Sequence, residues 1–240
     1  MANEFEKRCK ELAARVTAAF GENFISLVLY GSAASGDFVG PYSDLNVLCV
    51  LKHLRPDELS AAEPIFRWWR GLENPSPLLM TRDEMLASAD TFPIEFHDIR
   101  EHHRILAGVD IVADLPIDDV FYRGRVEFEL RSKLLRLRQK SVGVYSDKAL
   151  LTKLLAESLS TFLNLARHAM RLSGIPASIH KRETAREAAD AFGLDPTPFY
   201  TLLDLREGKR KPRDVEPHAL FAVYLQQIES LVASVDRIQR

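Results

Sequence analysis

The sequence predicts an α/β N-terminal half followed by a bundle of helices. Before about residue 115, short apolar runs of strand length alternate with helical stretches, whereas the later half keeps the three- and four-residue spacing of amphipathic helices. The chain has 240 residues, of which 46% are hydrophobic, so it can bury a substantial core. We therefore predict two domains, at residues 1–115 and 116–240.

The first half begins with a helix and continues with strands. Residues 4–20 place apolar side chains on one helical face, and Gly21 follows as a stop signal. The runs FISLVLY (24–30) and DLNVLCVL (44–51) are rich in residues that favour buried strands. The other predicted elements of this half are a helix at 56–71 and strands at 75–80 and 91–99.

The second half is predicted to be helical throughout. Glycine and proline fall between the periodic segments, where helix breakers belong. The last segment places seven apolar residues on one stripe, which is typical of a bundle. The predicted helices are 120–141, 147–173, 178–192, 196–207 and 216–239.

Composition excludes several classes of protein. The net charge of -2 argues against a chain that mainly neutralises nucleic-acid phosphates, and we interpret the basic run at 208–214 as a solvated loop. Cys9 and Cys49 are the only cysteines, which disfavours a disulfide framework. No apolar run approaches the roughly 18 residues of a membrane span, and the charged N-terminus lacks a signal-peptide pattern. We expect a cytoplasmic protein with neither membrane nor nucleic acid as a partner.

Polar residues cluster where the two strongest predicted strands begin and end. Strand alternation places Asp44 and Asn46 on one face of the strand at 44–51. Gly31 and Ser32 end the preceding strand, and a turn there would present N–H groups and a hydroxyl to phosphate oxygens. On the predicted strand at 91–99, Glu95 could face the same side as Asp44. Such oxygen donors suit magnesium, which usually bridges carboxylates to substrate phosphates.

These residues resemble the motif of the nucleotidyltransferase superfamily, which includes DNA polymerase beta and the antibiotic adenylyltransferases. The pattern is Gly31-Ser32, then Asp44 and Asn46 on a strand, then Glu95 on a later strand. It covers roughly residues 20–115, and kanamycin nucleotidyltransferase and its relatives also carry a helical C-terminal domain. The resemblance implies an α/β (α+β) fold: a mixed sheet with helices on one face, followed by a helical bundle.

The resemblance also implies an activity. A nucleoside monophosphate, AMP in the antibiotic enzymes, would pass from Mg-NTP to a hydroxyl of a small molecule or protein, releasing pyrophosphate. Magnesium, or manganese, would be the cofactor, and ATP or another NTP the substrate. Asp44, Asn46 and Glu95 would hold the metal, and Gly31 and Ser32 the phosphates. Glu95 would also orient or deprotonate the acceptor hydroxyl.

The chain departs from the family at Asn46, where a carboxylate is usual. An amide oxygen can ligate a metal but brings no negative charge, so the departure should weaken metal binding. Asp37 and Asp98 are candidates for the missing charge, which leaves open whether Glu95 or Asp98 is the third acid. A competing hypothesis is a degenerate fold that binds nucleotide or a protein partner without efficient turnover.

The helical half carries a basic segment at 127–140. Arg131 or Lys133 could reach toward a triphosphate, as the C-terminal domain does in the antibiotic enzymes, while the alternative is a solvated basic face. Polar residues of the next helix, Glu157 and Ser158 among them, could line the same cleft. The acceptor, the preferred base and the oligomeric state, including a homodimer, stay open.

Overall fold

The computed structural model describes residues 2–34 and 45–238 of the chain. The chain divides into two compact units, Met1–Asp118 and Asp119–Arg240. The first contains a sheet with helices, and the second is built from helices.

The described part of the first unit contains a mixed sheet of four strands in the order β3-β2-β1-β4. Strand β1 is central and pairs antiparallel with both β2 and β4, whereas β2 and β3 are parallel. The elements in chain order are α1 (Ala2–Phe20), β1 (Phe24–Tyr30), β2 (Asn46–Leu51), α2 (Pro56–Gly71), β3 (Leu78–Thr81), α3 (Arg82–Ala87), α4 (Pro93–Glu101) and β4 (His103–Gly108).

The two faces of the sheet bury separate apolar clusters. Leu27 and Leu29 of β1 join the cluster that includes side chains of α1 and α2. Val28, between them, joins a second cluster with Phe96 and Ile99 of α4. Successive strand residues point to opposite faces, so the long helices α1 and α2 cover one face and the short helix α4 lies on the other.

The strand predicted at 91–99 is wrong, because residues Pro93–Glu101 form helix α4. Pro93 occupies the first turn, where its fixed φ favours a helix, and Glu95 lies in that turn, where a negative charge is favourable. The edge of the sheet beside β1 is instead filled by β4, which the sequence did not predict. Its residues are half-buried up to the exposed Gly108, so they lack the alternation that marks a strand with one buried face.

The second unit confirms the predicted helices to within about one turn at each end. Asp147 caps α6, since its side chain accepts hydrogen bonds of 2.9 Å from the backbone nitrogens of Ala149 and Leu150. The helices are α5 (Tyr122–Val144), α6 (Lys148–Leu172), α7 (Lys181–Phe192), α8 (Thr197–Arg206) and α9 (Pro217–Arg237). Across the described residues, none of the helices is long and apolar enough to span a membrane.

Helix α6 lies at the centre of the packing in this unit, with twelve buried residues along its length. Two buried polar contacts accompany the apolar ones. The hydroxyl of Tyr122 and Nδ1 of His168 are 2.6 Å apart, and the hydroxyl of Tyr224 lies 3.1 Å from that of Ser158. Buried polar groups are costly unless hydrogen-bonded, so these contacts fix the relative positions of α5, α6 and α9.

Candidate functional site

The site begins at the turn that ends β1. Gly31 has a φ of 77°, in the left-handed region that favours glycine, and opens a short 3-10 turn, Gly31–Ala33. Its N–H donates to the carbonyl of His102 at 3.2 Å, which ties the turn to the segment between α4 and β4. A β-carbon at Gly31 would lie 3.4 Å from Nδ2 of Asn46. The turn and the Asn46 side chain are therefore neighbours.

Asn46 opens β2 and pairs in register with Tyr30, the last residue of β1. It has the same strand parity as Leu48 and Val50, which belong to the cluster that contains α4 residues. Tyr30 packs against that same cluster. Both half-buried side chains thus lie on the α4 face of the sheet, at the end where β1 stops.

Two carboxylates of α4 lie near this end of the sheet. Glu95 is exposed and Asp98 half-buried, and three-residue spacing places them on one helical face. The pKa of Tyr30 is raised above its ordinary value, first by burial and then by the negative charges of Glu95 and Asp98. Both carboxylates are therefore close enough to Tyr30 to affect its ionisation.

The structure thus brings Gly31, Asn46 and Glu95 to one end of the sheet. Asp44, like Asp37, lies outside the described residues, and Ser32 belongs to the Gly31–Ala33 turn. Within the described ranges, no group of three histidine, cysteine, aspartate or glutamate residues could hold a metal ion. The metal-ligating roles of Asp44, Asn46 and Glu95 stay predictions.

Sequence reasoning missed Tyr30 and named Asp98 only as a candidate for the charge that Asn46 lacks. Tyr30 stands immediately before the Gly31-Ser32 pair, which is the signal that could have found it. On a strand at 91–99, Asp98 and Glu95 would point to opposite faces, whereas on helix α4 the two residues share a face. Identifying Pro93 as a helix-starting residue would have brought Asp98 into the site.

Arg131 and Lys133 form ion pairs within α5, and Arg131 also pairs with an aspartate of α9. Arg131 Nε donates to Glu127 at 2.8 Å, and its Nη2 lies 3.5 Å from Asp236. Lys133 Nζ lies 3.4 Å from Glu129. These pairs are partly exposed and worth little, so they leave both cations able to exchange partners. Their predicted role toward a triphosphate stays a prediction.

Comparison with known proteins places the chain by fold rather than by sequence. No protein-family model matches it, and neither does any curated protein. Among solved structures, the chain is similar to spectinomycin adenyltransferase AAD(9) from Enterococcus faecialis, determined with ATP and spectinomycin. The TM-score is 0.57, the identity is 13%, and the match covers 95% of this chain and 99% of the other.

The chain has a nucleotidyltransferase fold. This confirms, at the level of fold, the resemblance drawn from the Gly31-Ser32 motif and its carboxylates. The likeness extends beyond residues 20–115 into the helical half. At this identity it establishes the fold alone, and the chemistry must be argued from the side chains of this chain.

Proposed function

We propose that this chain is a nucleotidyltransferase that moves a nucleoside monophosphate from Mg-NTP to a hydroxyl of a small molecule or protein. In this proposal the donor is first of all ATP, and the transferred group is AMP. The observation that carries the proposal is the meeting of the Gly31 turn, Asn46 and the α4 carboxylates at one end of the sheet. The likeness to a structure that holds ATP and spectinomycin supports an NTP and a hydroxyl acceptor as the substrates.

The proposed reaction assigns a task to each group. The acceptor oxygen attacks the α-phosphorus, a new P–O bond forms, the bond to the bridging α–β oxygen breaks, and pyrophosphate leaves. The hydroxyl proton passes to a carboxylate, Glu95 or Asp98. The turn that contains Gly31 and Ser32 would hold phosphate oxygens.

The donor chemistry fits a magnesium ion. Asn46, Glu95 and Asp98 offer oxygen atoms, the donor type that magnesium prefers, and Asp44 would add another carboxylate. When bound, the ion supplies positive charge that offsets the charge of the phosphates. In this proposal Asp98 supplies the negative charge that Asn46 lacks, since it lies one helical turn from Glu95 and acts on the same tyrosine.

Pyrophosphate release tests the proposal. The purified chain is incubated with each of the four NTPs, magnesium or manganese, and a panel of hydroxyl acceptors. We expect acceptor-dependent release, most strongly with ATP. It should fall at least about a hundredfold in Asp44→Ala and Glu95→Gln, as expected for removing a group that acts on the reacting charges.

The matched control is Glu63→Gln, which removes an exposed carboxylate from α2, on the other face of the sheet. It should leave the rate unchanged. A contrasting result is an NTP that raises the melting temperature although no NTP is turned over with any acceptor of the panel. That result would favour the degenerate fold that binds nucleotide without efficient turnover. The absence of both binding and turnover with every NTP would overturn the proposal.

A further inference from the structure

A small pocket lies between α5 and α6 in the helical unit. Its volume is about 160 Å³, and cations dominate its charged lining. The residues that matter here are Lys133, Arg136 and Lys140 of α5 and Glu157, Thr161 and Phe162 of α6. Three positive charges thus line the pocket together with one carboxylate.

The cations of the pocket differ from other cations on the same helix. Arg131 and Arg138 have acidic partners, Glu127 at 2.8 Å and Glu229 at 2.5 Å. Arg136 and Lys140, by contrast, form no ion pair within the described part of the chain. Arg136 and Lys140 are four residues apart on α5, so they lie on one face of the helix, beside the pocket.

Lys133 and Glu157 do not cancel this charge. Lys133 Nζ lies 3.4 Å from Glu129, and Glu157 lies 3.8 Å from Lys153, which is not among the lining residues. Both pairs are exposed and therefore weak. The pocket keeps an excess of positive charge, carried chiefly by Arg136 and Lys140.

The base of the pocket is apolar and fixed. Phe162 and Leu137 are buried, and Leu154 is half-buried beside them. The Ser158 hydroxyl donates to the carbonyl of Leu155 at 2.8 Å and lies 3.1 Å from the hydroxyl of buried Tyr224. Its hydrogen is thus committed within the protein, which leaves the Thr161 hydroxyl as the neutral donor for a ligand.

We propose that this pocket binds a small organic oxyanion, a compound that carries a carboxylate or phosphate group and is smaller than a nucleotide. Arginine suits this task because its planar guanidinium matches the two oxygens of such a group. The volume of about 160 Å³ is below the roughly 300–1,000 Å³ of sites for drug-sized ligands, which favours a short acid over a whole nucleoside triphosphate. The apolar base would contact its carbon skeleton. This inference does not rest on the proposed transferase function.

Isothermal titration of the full chain at fixed ionic strength tests the inference, with succinate, inorganic phosphate, choline and MgATP as probes. We expect succinate and phosphate to bind and to compete, and choline not to bind. Arg136→Met and Lys140→Met should each weaken succinate binding about tenfold, the cost of one charge-assisted contact. Glu157→Gln should tighten it about threefold by removing the opposing charge.

The matched control is Arg138→Met, which removes the same charge from the same helix outside the pocket lining. It should leave the succinate affinity unchanged. These side chains are exposed, so the variants should keep the wild-type melting temperature, measured in parallel. MgATP should leave the affinity for succinate unaltered.

Three results would overturn the inference. The first is no binding of either succinate or phosphate. The second is an equal loss of affinity in Arg138→Met and Arg136→Met, which would indicate a general charge effect. The third is displacement of succinate by MgATP together with weaker MgATP binding in Arg136→Met, which would assign the pocket to nucleotide phosphates.

Discussion

The amide nitrogen of Asn46 lies against the turn at Gly31, at 3.4 Å from the position that a β-carbon on Gly31 would occupy. The backbone, rather than this neighbour, constrains residue 31. Its φ of 77° disfavours any side chain, whereas 3.4 Å is an ordinary van der Waals distance for a β-carbon. A glycine is favoured here by its conformation.

Replacing Gly31 with alanine should lower the free energy of unfolding by about 1–3 kcal/mol, the usual cost of a strained backbone position. Gly193→Ala is the matched control, because Gly193 has a similar φ of 65° with nothing within 4 Å of a β-carbon. Denaturant unfolding should show similar losses for the two variants, because both costs arise from the left-handed φ. A clearly larger loss for Gly31→Ala would mean that its contact with Asn46 is strained as well, and Asn46→Ala in the Gly31→Ala background would then recover the excess.

Replacing Asn46 with aspartate tests the charge that the site lacks. Without a divalent ion, the variant should be destabilised by about 1 kcal/mol, because a new negative charge joins the Glu95 and Asp98 carboxylates. With magnesium and ATP the order should reverse, and the variant should show tighter metal binding and more pyrophosphate release than wild type.

Titration calorimetry with magnesium and ATP measures this reversal on wild type, Asn46→Asp and Asp44→Ala. Asp44→Ala should lose metal binding that depends on nucleotide. Indistinguishable traces for the three proteins would contradict a metal site at this end of the sheet.

Tyr30 reports the proximity of the α4 carboxylates. Because burial and then the charges of Glu95 and Asp98 raise its pKa, Glu95→Gln and Asp98→Asn should each lower it toward the ordinary value near 10. Tyrosine ring NMR titration, assigned with Tyr30→Phe, measures the change. Glu63→Gln, on the other face of the sheet, should leave the Tyr30 pKa unchanged.

The raised pKa of Tyr30 also sets a direction for stability at alkaline pH. The folded protein retains the phenol proton at pH values where the unfolded chain has lost it. The free energy of unfolding should therefore fall as pH rises above about 10 through the folded-state value. Tyr30→Phe should show a shallower fall in urea unfolding series across this range, and an unchanged slope would contradict the prediction.

Cys49 lies in the middle of β2, and burial raises the pKa of its thiol to about 12. The unfolded thiol ionises near pH 8.5, so the native state holds more protons between these values, and the free energy of unfolding should fall across that window. In a Cys9→Ala background, labelling of Cys49 by a thiol reagent at pH 8 should follow unfolding of the protein. Rapid labelling of the folded protein would contradict its burial.

Predictability differed between the two units for a physical reason. The helices α5 to α9 are long, amphipathic and separated by glycine or proline, so their periodicity decides their structure. The segment at 93–99 is short, and its apolar residues alternate in part while Pro93 favours a helix start. Local pattern could not decide between the two, and packing of Phe96 and Ile99 on the sheet favoured the helix.

The site was predictable in its chemistry but not in its full geometry. The predicted alternation holds in β2, where Leu45, Val47 and Cys49 join one cluster and Leu48 and Val50 the other. The turn predicted at Gly31-Ser32 is also present. The contribution of Asp98 depended on recognising α4 as a helix. The proximity of Tyr30 to Glu95 and Asp98 could not be predicted from local pattern, because these residues are more than sixty positions apart in the chain.

The central position of β1 has a consequence for the order in which the sheet forms. In β1, Leu27 pairs with Cys49, roughly 20 residues away, and with Ala107, roughly 80 residues away, so the two pairings differ in loop-closure entropy. The β1–β2 pair should consequently form early during folding. Strand β4 should join the sheet later, after α2, β3, α3 and α4 have formed. Substitutions in β4 would then chiefly speed unfolding, whereas equivalent ones in β2 would slow folding. The Gly31 end of the sheet, tied to His102 beside β4, would be among the last parts of the unit to become ordered.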